Sequence, residues 1–170
     1  MTVIINIGIS GSGKSTWTAD FLKTNLDYLR INRDDLRKSM VGDLNGYYKR
    51  PDLNQLEKII NDIQFQSFMN YKDSHKNVII DNTHLKEKYI NVWLNTFKLI
   101  NDNIDVYFKL FDCDLDLAKN RVLLRDYPEL TSFDTGIYHH NSQTDYIEQQ
   151  YKDYQIIKQL ILDKYADKII

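Results

Sequence analysis

The stretch Gly8-Ile9-Ser10-Gly11-Ser12-Gly13-Lys14-Ser15 constrains this chain more than any other. It fits Gly-x-x-x-x-Gly-Lys-[Ser/Thr], a loop that binds phosphate between a strand and a helix. Both flanks comply. Val3-Ile4-Ile5-Asn6-Ile7 is short and β-branched, as a buried parallel strand is. From Lys14 to Leu26, Trp17, Phe21, Leu22 and Leu26 recur at helical spacing. Gly11 and Gly13 lack Cβ, so the backbone can bend tightly and offer successive N–H groups to phosphate. A helix starting at Lys14 aims its positive dipole end at the same anion. Ser10, Gly11, Ser12, Gly13, Lys14, Ser15 and Thr16 are therefore the expected nucleotide-binding residues. Lys14 is a mobile charge for the β and γ phosphates, and the Ser15 hydroxyl is the expected magnesium ligand.

The bulk properties narrow the class. A length of 170 residues suits one domain, 1–170, with a sizeable core. Hydrophobic content of 42% and charged content of 27% are ordinary for a soluble globular protein. Net charge is −2, so no global cationic field exists. Contact with nucleic acid must then use a local patch, and tight non-specific duplex binding is not expected. The single cysteine, Cys113, excludes an internal disulfide framework and fits a reducing, cytoplasmic compartment. The amino terminus lacks a basic region and its apolar run stops at the glycine loop, so no signal peptide is expected. No apolar stretch reaches membrane-spanning length.

Further strands are expected at Tyr28–Ile31, Val78–Asp81 and Ile104–Phe111, with Asp167–Ile170 as a short edge strand. Helices are expected at 52–71, 86–100, 114–125, 134–141 and 144–165, and 41–50 reads as a polar loop or short helix. The class is α/β, with a central parallel sheet of four or five strands flanked by helices. In such sheets the working groups lie beyond the carboxyl ends of the strands. Asn32-Arg33-Asp34-Asp35-Leu36-Arg37 follows the second strand, which puts Asp34 and Arg37 at the start of a helix. Asp is also a favoured N-cap, so Asp34 can cap that helix as well as do chemistry. The third strand ends in Asp81, the Walker-B pattern, where a carboxylate orients magnesium directly or through water. Asn82 and Thr83 on the same edge can bond a ligand or form a turn. His84 reads as a loop histidine and His75 as solvated. Asp112 or Asp114 reads as the cap of the next helix, because too little chain follows for an Asp-x-Asp phosphatase. Arg121 and Arg125 share a helix face and lead into the Pro128 loop, which suggests a helical lid at about 121–136 over the phosphates. A solvated charged face is the plainer alternative. The His139-His140 pair has no metal partners at recognisable spacing.

The combination resembles the kinase domain of bacteriophage polynucleotide 5′-kinases, within the P-loop kinase superfamily. The resemblance rests on Gly8 to Trp17, on Ile31-Asn-Arg-Asp-Asp-Leu-Arg37, on Ile79-Ile-Asp-Asn-Thr-His-Leu85, and on Phe111-Asp112 leading to Arg121 and Arg125. It implies that Asp34 is the general base for the acceptor 5′-hydroxyl and that Arg37 binds the acceptor's phosphate. It implies that Arg125 contacts the donor phosphates, with Arg121 as a neighbouring lid arginine. Asp81, Asn82 and Thr83 fall beside magnesium and acceptor, although the acid is displaced by one place relative to the threonine. The best-known members carry a 3′-phosphatase domain after the kinase. The resemblance therefore implies a kinase alone, with a separate 3′-phosphatase or ligase, at work in nucleic-acid repair.

The physical requirements agree. Phosphoryl transfer needs in-line positioning, neutralised oxygens and a base near the attacking hydroxyl. Lys14, magnesium and Arg125 supply charge at the γ-phosphate of ATP, and Asp34 supplies the base. The acceptor is expected to be a single-stranded DNA or RNA 5′-hydroxyl end, held by phosphate contacts and stacking on a tyrosine. One rival is a small-molecule kinase acting on a nucleoside, sugar or antibiotic, discriminated by Arg37, which needs an acceptor phosphate. The other is an ATP-binding module without turnover, indifferent to loss of Asp34.

Overall fold

The computed structural model describes residues 1–42, 44–100, 103–126 and 142–170. At its centre is β1 (Thr2–Ile7), hydrogen-bonded to β3 (Asn77–Ile80) on one side and β4 (Asp105–Leu110) on the other. β2 (Tyr28–Ile31) lies outside β3, giving the order β2-β3-β1-β4, with every pairing parallel. Val3, Ile4, Ile5 and Ile7 are all buried, which is why β1 reads as a continuous apolar run rather than an alternating one. The expected carboxyl-terminal edge strand reduces to one parallel bridge, Phe108 to Ile169, beside β4.

Helices α1 (Lys14–Thr24), α2 (Arg33–Val41), α3 (Leu44–Tyr48), α4 (Leu53–Asp73), α5 (Glu87–Ile100), α6 (Leu115–Asp126) and α7 (Ser142–Tyr165) cover and cap the sheet. Two apolar clusters result. The larger joins β1, β3 and β4 to Phe68, Ile90, Trp93, Phe97, Ile147, Tyr154, Ile157 and Ile161. The smaller gathers Tyr47, Leu56 and Ile60, with Leu36, Val41 and Leu53 packed against them. It binds α2, α3 and α4 into a unit beside the sheet edge.

Several expectations change. α1 stops at Thr24, so Leu26 is exposed and leaves the packing stripe. Leu53, Leu56, Ile60 and Ile63 are spaced in the sequence as one packing stripe of α4, but Ile63 is exposed and the stripe continues through Gln64 and Phe68. In α6, Leu117, Ala118 and Leu124 are spaced in the sequence to pack inward; Ala118 is buried, but Leu117 and Leu124 face solvent, and Val122 and Leu123 are buried in their place. Residues 41–50 include a real helical turn, and its Tyr47 is fully buried. The expected helix at 134–141, with His139 and His140, and the lid beyond residue 126 lie outside the described residues. Among the described residues, no helix is long and apolar enough to cross a membrane.

Candidate active site

The parallel register gathers the site. Ile7 pairs with Leu110, and Ile80 pairs with both Ile5 and Ile31. The segments that follow, Gly8–Ser15, Asp81–His84, Phe111–Cys113 and Asn32–Arg37, therefore leave the sheet along one edge. Gly8 N–H donates to the Thr83 carbonyl at 3.1 Å, which ties the glycine loop to the end of β3.

The loop has the shape its glycines allow. Gly11 and Gly13 have φ of 79° and 93°, and Gly13 is the N-cap of α1. A Cβ on Gly11 would stand 2.5 Å from the Ala118 carbonyl oxygen, so α6 packs directly on the loop. Lys14 folds back, its Nζ donating to the Ile9 carbonyl at 2.6 Å and to Ser12 Oγ at 3.3 Å. Burial lowers its pKa to about 8, opposed by the negative charges of Asp81 and Asp34 and reinforced by Arg125. Lys14 thus feels groups from β3, α2 and α6 at once. Ser10 N–H donates to Oε1 of the buried Gln150 at 2.8 Å, so α7 also braces the loop.

Asp81, at the expected Walker-B position, is buried, and its oxygens have partners. Oδ1 accepts from Asn6 Nδ2 at 3.0 Å. Oδ2 accepts from Arg30 Nε at 2.8 Å and lies 2.7 Å from a second Arg30 nitrogen. The same guanidinium donates to Ser15 Oγ at 3.2 Å and pairs with Asp35. Arg30 therefore stands between the two residues expected to hold magnesium. Among the described residues, no three His, Cys, Asp or Glu side chains gather to cage a metal. The exposed Ser15 hydroxyl suits an ion held chiefly by substrate phosphates. Asp81 fits direct coordination only if Arg30 releases it. His84 is buried, not merely a loop residue, with its Nδ1 2.8 Å from the Asn6 carbonyl. Burial pushes its pKa down to about 4, so it is neutral at pH 7.

The edge after β2 is a built network. Asn32, not Asp34, caps α2: its side chain accepts from Asp35 N–H at 3.0 Å. Asp34 is thereby left out of the capping role, half-exposed in the first turn. Its Oδ1 accepts from an Arg37 N–H at 2.7 Å, and its Oδ2 accepts no hydrogen bond from the described residues. Arg37 also donates to both oxygens of Glu57, at 2.9 and 3.0 Å. Burial works against the Arg37 charge, but the Glu57 and Asp34 carboxylates outweigh it and raise its pKa. Glu57 accepts as well from Arg33 and from the Tyr47 hydroxyl, the latter at 2.9 Å. Partial burial opposes the Glu57 charge, yet these donors hold its carboxyl at about 2. Asn82 Oδ1 accepts from Arg33 N–H at 2.9 Å and its Nδ2 donates to Gln64 at 3.2 Å, which joins β3 to α2 and α4. Thr83 enters through its backbone carbonyl.

From the other side, Arg121 donates to the Gly11 carbonyl at 3.2 Å, and the Arg125 charge acts on Lys14. Asp114 caps α6 through Leu117 N–H, whereas Asp112 pairs with Lys158 and the Tyr154 hydroxyl. Arg30, Glu57, Asn6 and Gln150 escaped the sequence reading. Arg30 carries the clearest signal, a cation within the four-residue strand Tyr28-Leu29-Arg30-Ile31.

Comparison with known proteins bears on the family and the fold. The AAA domain family matches residues 3–150. Over 159 residues the chain is 30% identical to a protein of Autographa californica nuclear polyhedrosis virus that is provisionally named a bifunctional polynucleotide kinase/RNA ligase, covering 89% of this chain and 20% of that one. That relative is viral but not from a bacteriophage. A structure of the Pnkp1/Rnl/Hen1 RNA repair complex aligns at 27% identity with a TM-score of 0.63, over 88% of this chain and 45% of the other. A second structure of the Pnkp1/Rnl/Hen1 complex aligns at 30% identity with a TM-score of 0.57, over 68% and 36%. The PezAT toxin–antitoxin system of Streptococcus pneumoniae, at 20% identity and a TM-score of 0.61 over 95% of this chain and 64% of the other, shares the fold. The chain spans about one fifth of the length of its viral relative and less than half of the two repair-complex chains.

Proposed function

The chain belongs to the AAA domain family, its phosphate loop and sheet are those of a P-loop kinase, and from that premise we propose that it phosphorylates 5′-hydroxyl ends of nucleic acids with ATP. One observation carries the reading. The Arg30 guanidinium donates to Ser15 Oγ of the phosphate loop at 3.2 Å and pairs with Asp35 next to Asp34, so the donor loop and the acceptor-side edge after β2 lie together.

In this mechanism the backbone of Ser10–Thr16 and the amino end of α1 hold the ATP phosphates. Lys14 turns from the Ile9 carbonyl to meet the β and γ phosphates, whose negative charge favours its protonated form. The Ser15 hydroxyl would hold the magnesium that accompanies ATP, which would supply neutralising charge at the phosphate oxygens. Asp34 accepts the proton of the attacking 5′-hydroxyl through Oδ2, while Arg37 keeps Oδ1 in place and meets the acceptor phosphate. Arg121 and Arg125 approach the donor phosphates from α6. Asn82 and Thr83 shape the floor between α2 and the loop. The relative's name pairs a polynucleotide kinase with an RNA ligase, and two structural relatives come from an RNA repair complex. On that footing, the phosphorylated end passes to a ligase.

Incubation of the protein with γ-labelled ATP and a panel of acceptors tests this. The reading expects label on 5′-hydroxyl DNA or RNA and on nucleoside 3′-monophosphates, and far less on nucleosides lacking the 3′-phosphate that Arg37 binds. Transfer to a nucleoside or sugar with none to the oligonucleotides overturns it.

A further inference from the structure

Tyr48 stands on the acceptor edge, and the mechanism gives it no work. Its neighbour Tyr47 is wholly buried in the α2–α3–α4 cluster, whereas Tyr48 is 54% exposed. The two rings meet edge to face, with centroids 5.5 Å apart and planes at 88°. The Arg37 guanidinium carbon lies 5.7 Å from the Tyr47 centroid and 5.8 Å from that of Tyr48. Tyr48 is therefore not a loose surface side chain. A buried ring and a guanidinium already locked to Glu57 and Asp34 fix its place. The same guanidinium donates to Asp34 Oδ1 at 2.7 Å, so the exposed Tyr48 ring and the carboxylate read as the base flank one arginine.

Scattered exposed aromatics need no explanation. An aromatic held against the acceptor-side arginine does. Resting on the polynucleotide-kinase reading above, we propose that Tyr48 is the stacking platform for the nucleobase of the acceptor's terminal nucleotide. A base paired within a duplex cannot lie on such a platform, so the substrate is an unpaired 5′ end. Stacking uses the face common to every base, so the site is tolerant of sequence. The ring adds no charge, which suits a protein whose net charge is −2.

Steady-state kinetics of the wild type, Tyr48→Ala and Tyr48→Phe test this on two acceptors: a 5′-hydroxyl oligonucleotide, and the same strand with its 5′-terminal base removed. For the wild type, loss of that base is expected to raise the acceptor KM by about tenfold or more. Tyr48→Ala is expected to raise the KM for the intact strand by a similar factor, with no further rise for the abasic strand and no change in the KM for ATP. Tyr48→Phe keeps the wild-type pattern. If Tyr48→Ala still distinguishes the two strands as the wild type does, the assignment falls. It falls too if the variant loses equally on both, since Tyr48 then only props Arg37. No transfer to either strand by the wild type sinks the polynucleotide-kinase reading and this assignment together, whereas transfer without dependence on the base sinks the assignment alone.

Discussion

Lys14 is placed where a charge is least stable, buried against the Ile9 carbonyl with its pKa drawn down to about 8. The sign of the consequence is fixed. Between pH 8 and the ordinary lysine value of 10.5 the unfolded chain binds more protons than the folded one, so this group makes stability rise with pH across that window. Below pH 8 its full penalty stands. Lys14→Met is therefore expected to stabilise the nucleotide-free protein at pH 7 by ~1–3 kcal/mol, to flatten the rise between pH 8 and 10.5, and to abolish nucleotide binding. Urea denaturation at pH 7 and pH 10, with a nucleotide titration, checks it. A variant less stable than wild type at pH 7 contradicts the account. The identity of Lys14 was legible because one residue type at one spacing does this work. The burial of His84 was not, since its carbonyl partner Asn6 lies on another strand. Arg30 was hidden for a similar reason: its bonds to Asp81 and Ser15 exist only once β2 lies beside β3 and the loop folds over both.

Among the elements, the contact between the glycine loop and α6 is the tightest point of the site. Gly11 has φ of 79°, and any Cβ there meets the Ala118 carbonyl. Gly11→Ala must push α6 away or flatten the loop, with an expected loss of at least ~2 kcal/mol of stability and a nucleotide affinity reduced tenfold or more. Denaturant titration and nucleotide binding measure the two effects, and unchanged values for both would show that the loop is not braced this way. Helical periodicity revealed that α4 has an apolar face but not where Glu57 points. Glu57 lies on the flank of that face, and its three donors come from α2 and α3. The apolar face also drifts along so long a helix, so Ile63 turns outward and Phe68 inward. The capping of α2 depends on the precise starting residue, a boundary that spacing alone locates only to within a turn.

At the scale of the whole molecule, parallel pairing is what makes scattered motifs into one site. Each strand delivers its carboxyl end to the same edge, so motifs far apart in the chain converge on a shared cleft. That much of the architecture followed from apolar runs ending in functional residues. The neutralising network beneath the edge did not, because Arg30–Asp81 and Glu57–Arg37 are pairings between elements distant in sequence. The central claim is that the Asp34 edge and the phosphate loop form a single transfer site. Single-turnover transfer from ATP to a 5′-hydroxyl oligonucleotide by Asp34→Asn, set beside the variant's ATP affinity, tests it most directly. The account predicts transfer slowed by roughly 10²- to 10⁴-fold, with ATP binding close to wild type; transfer at the wild-type rate would contradict it.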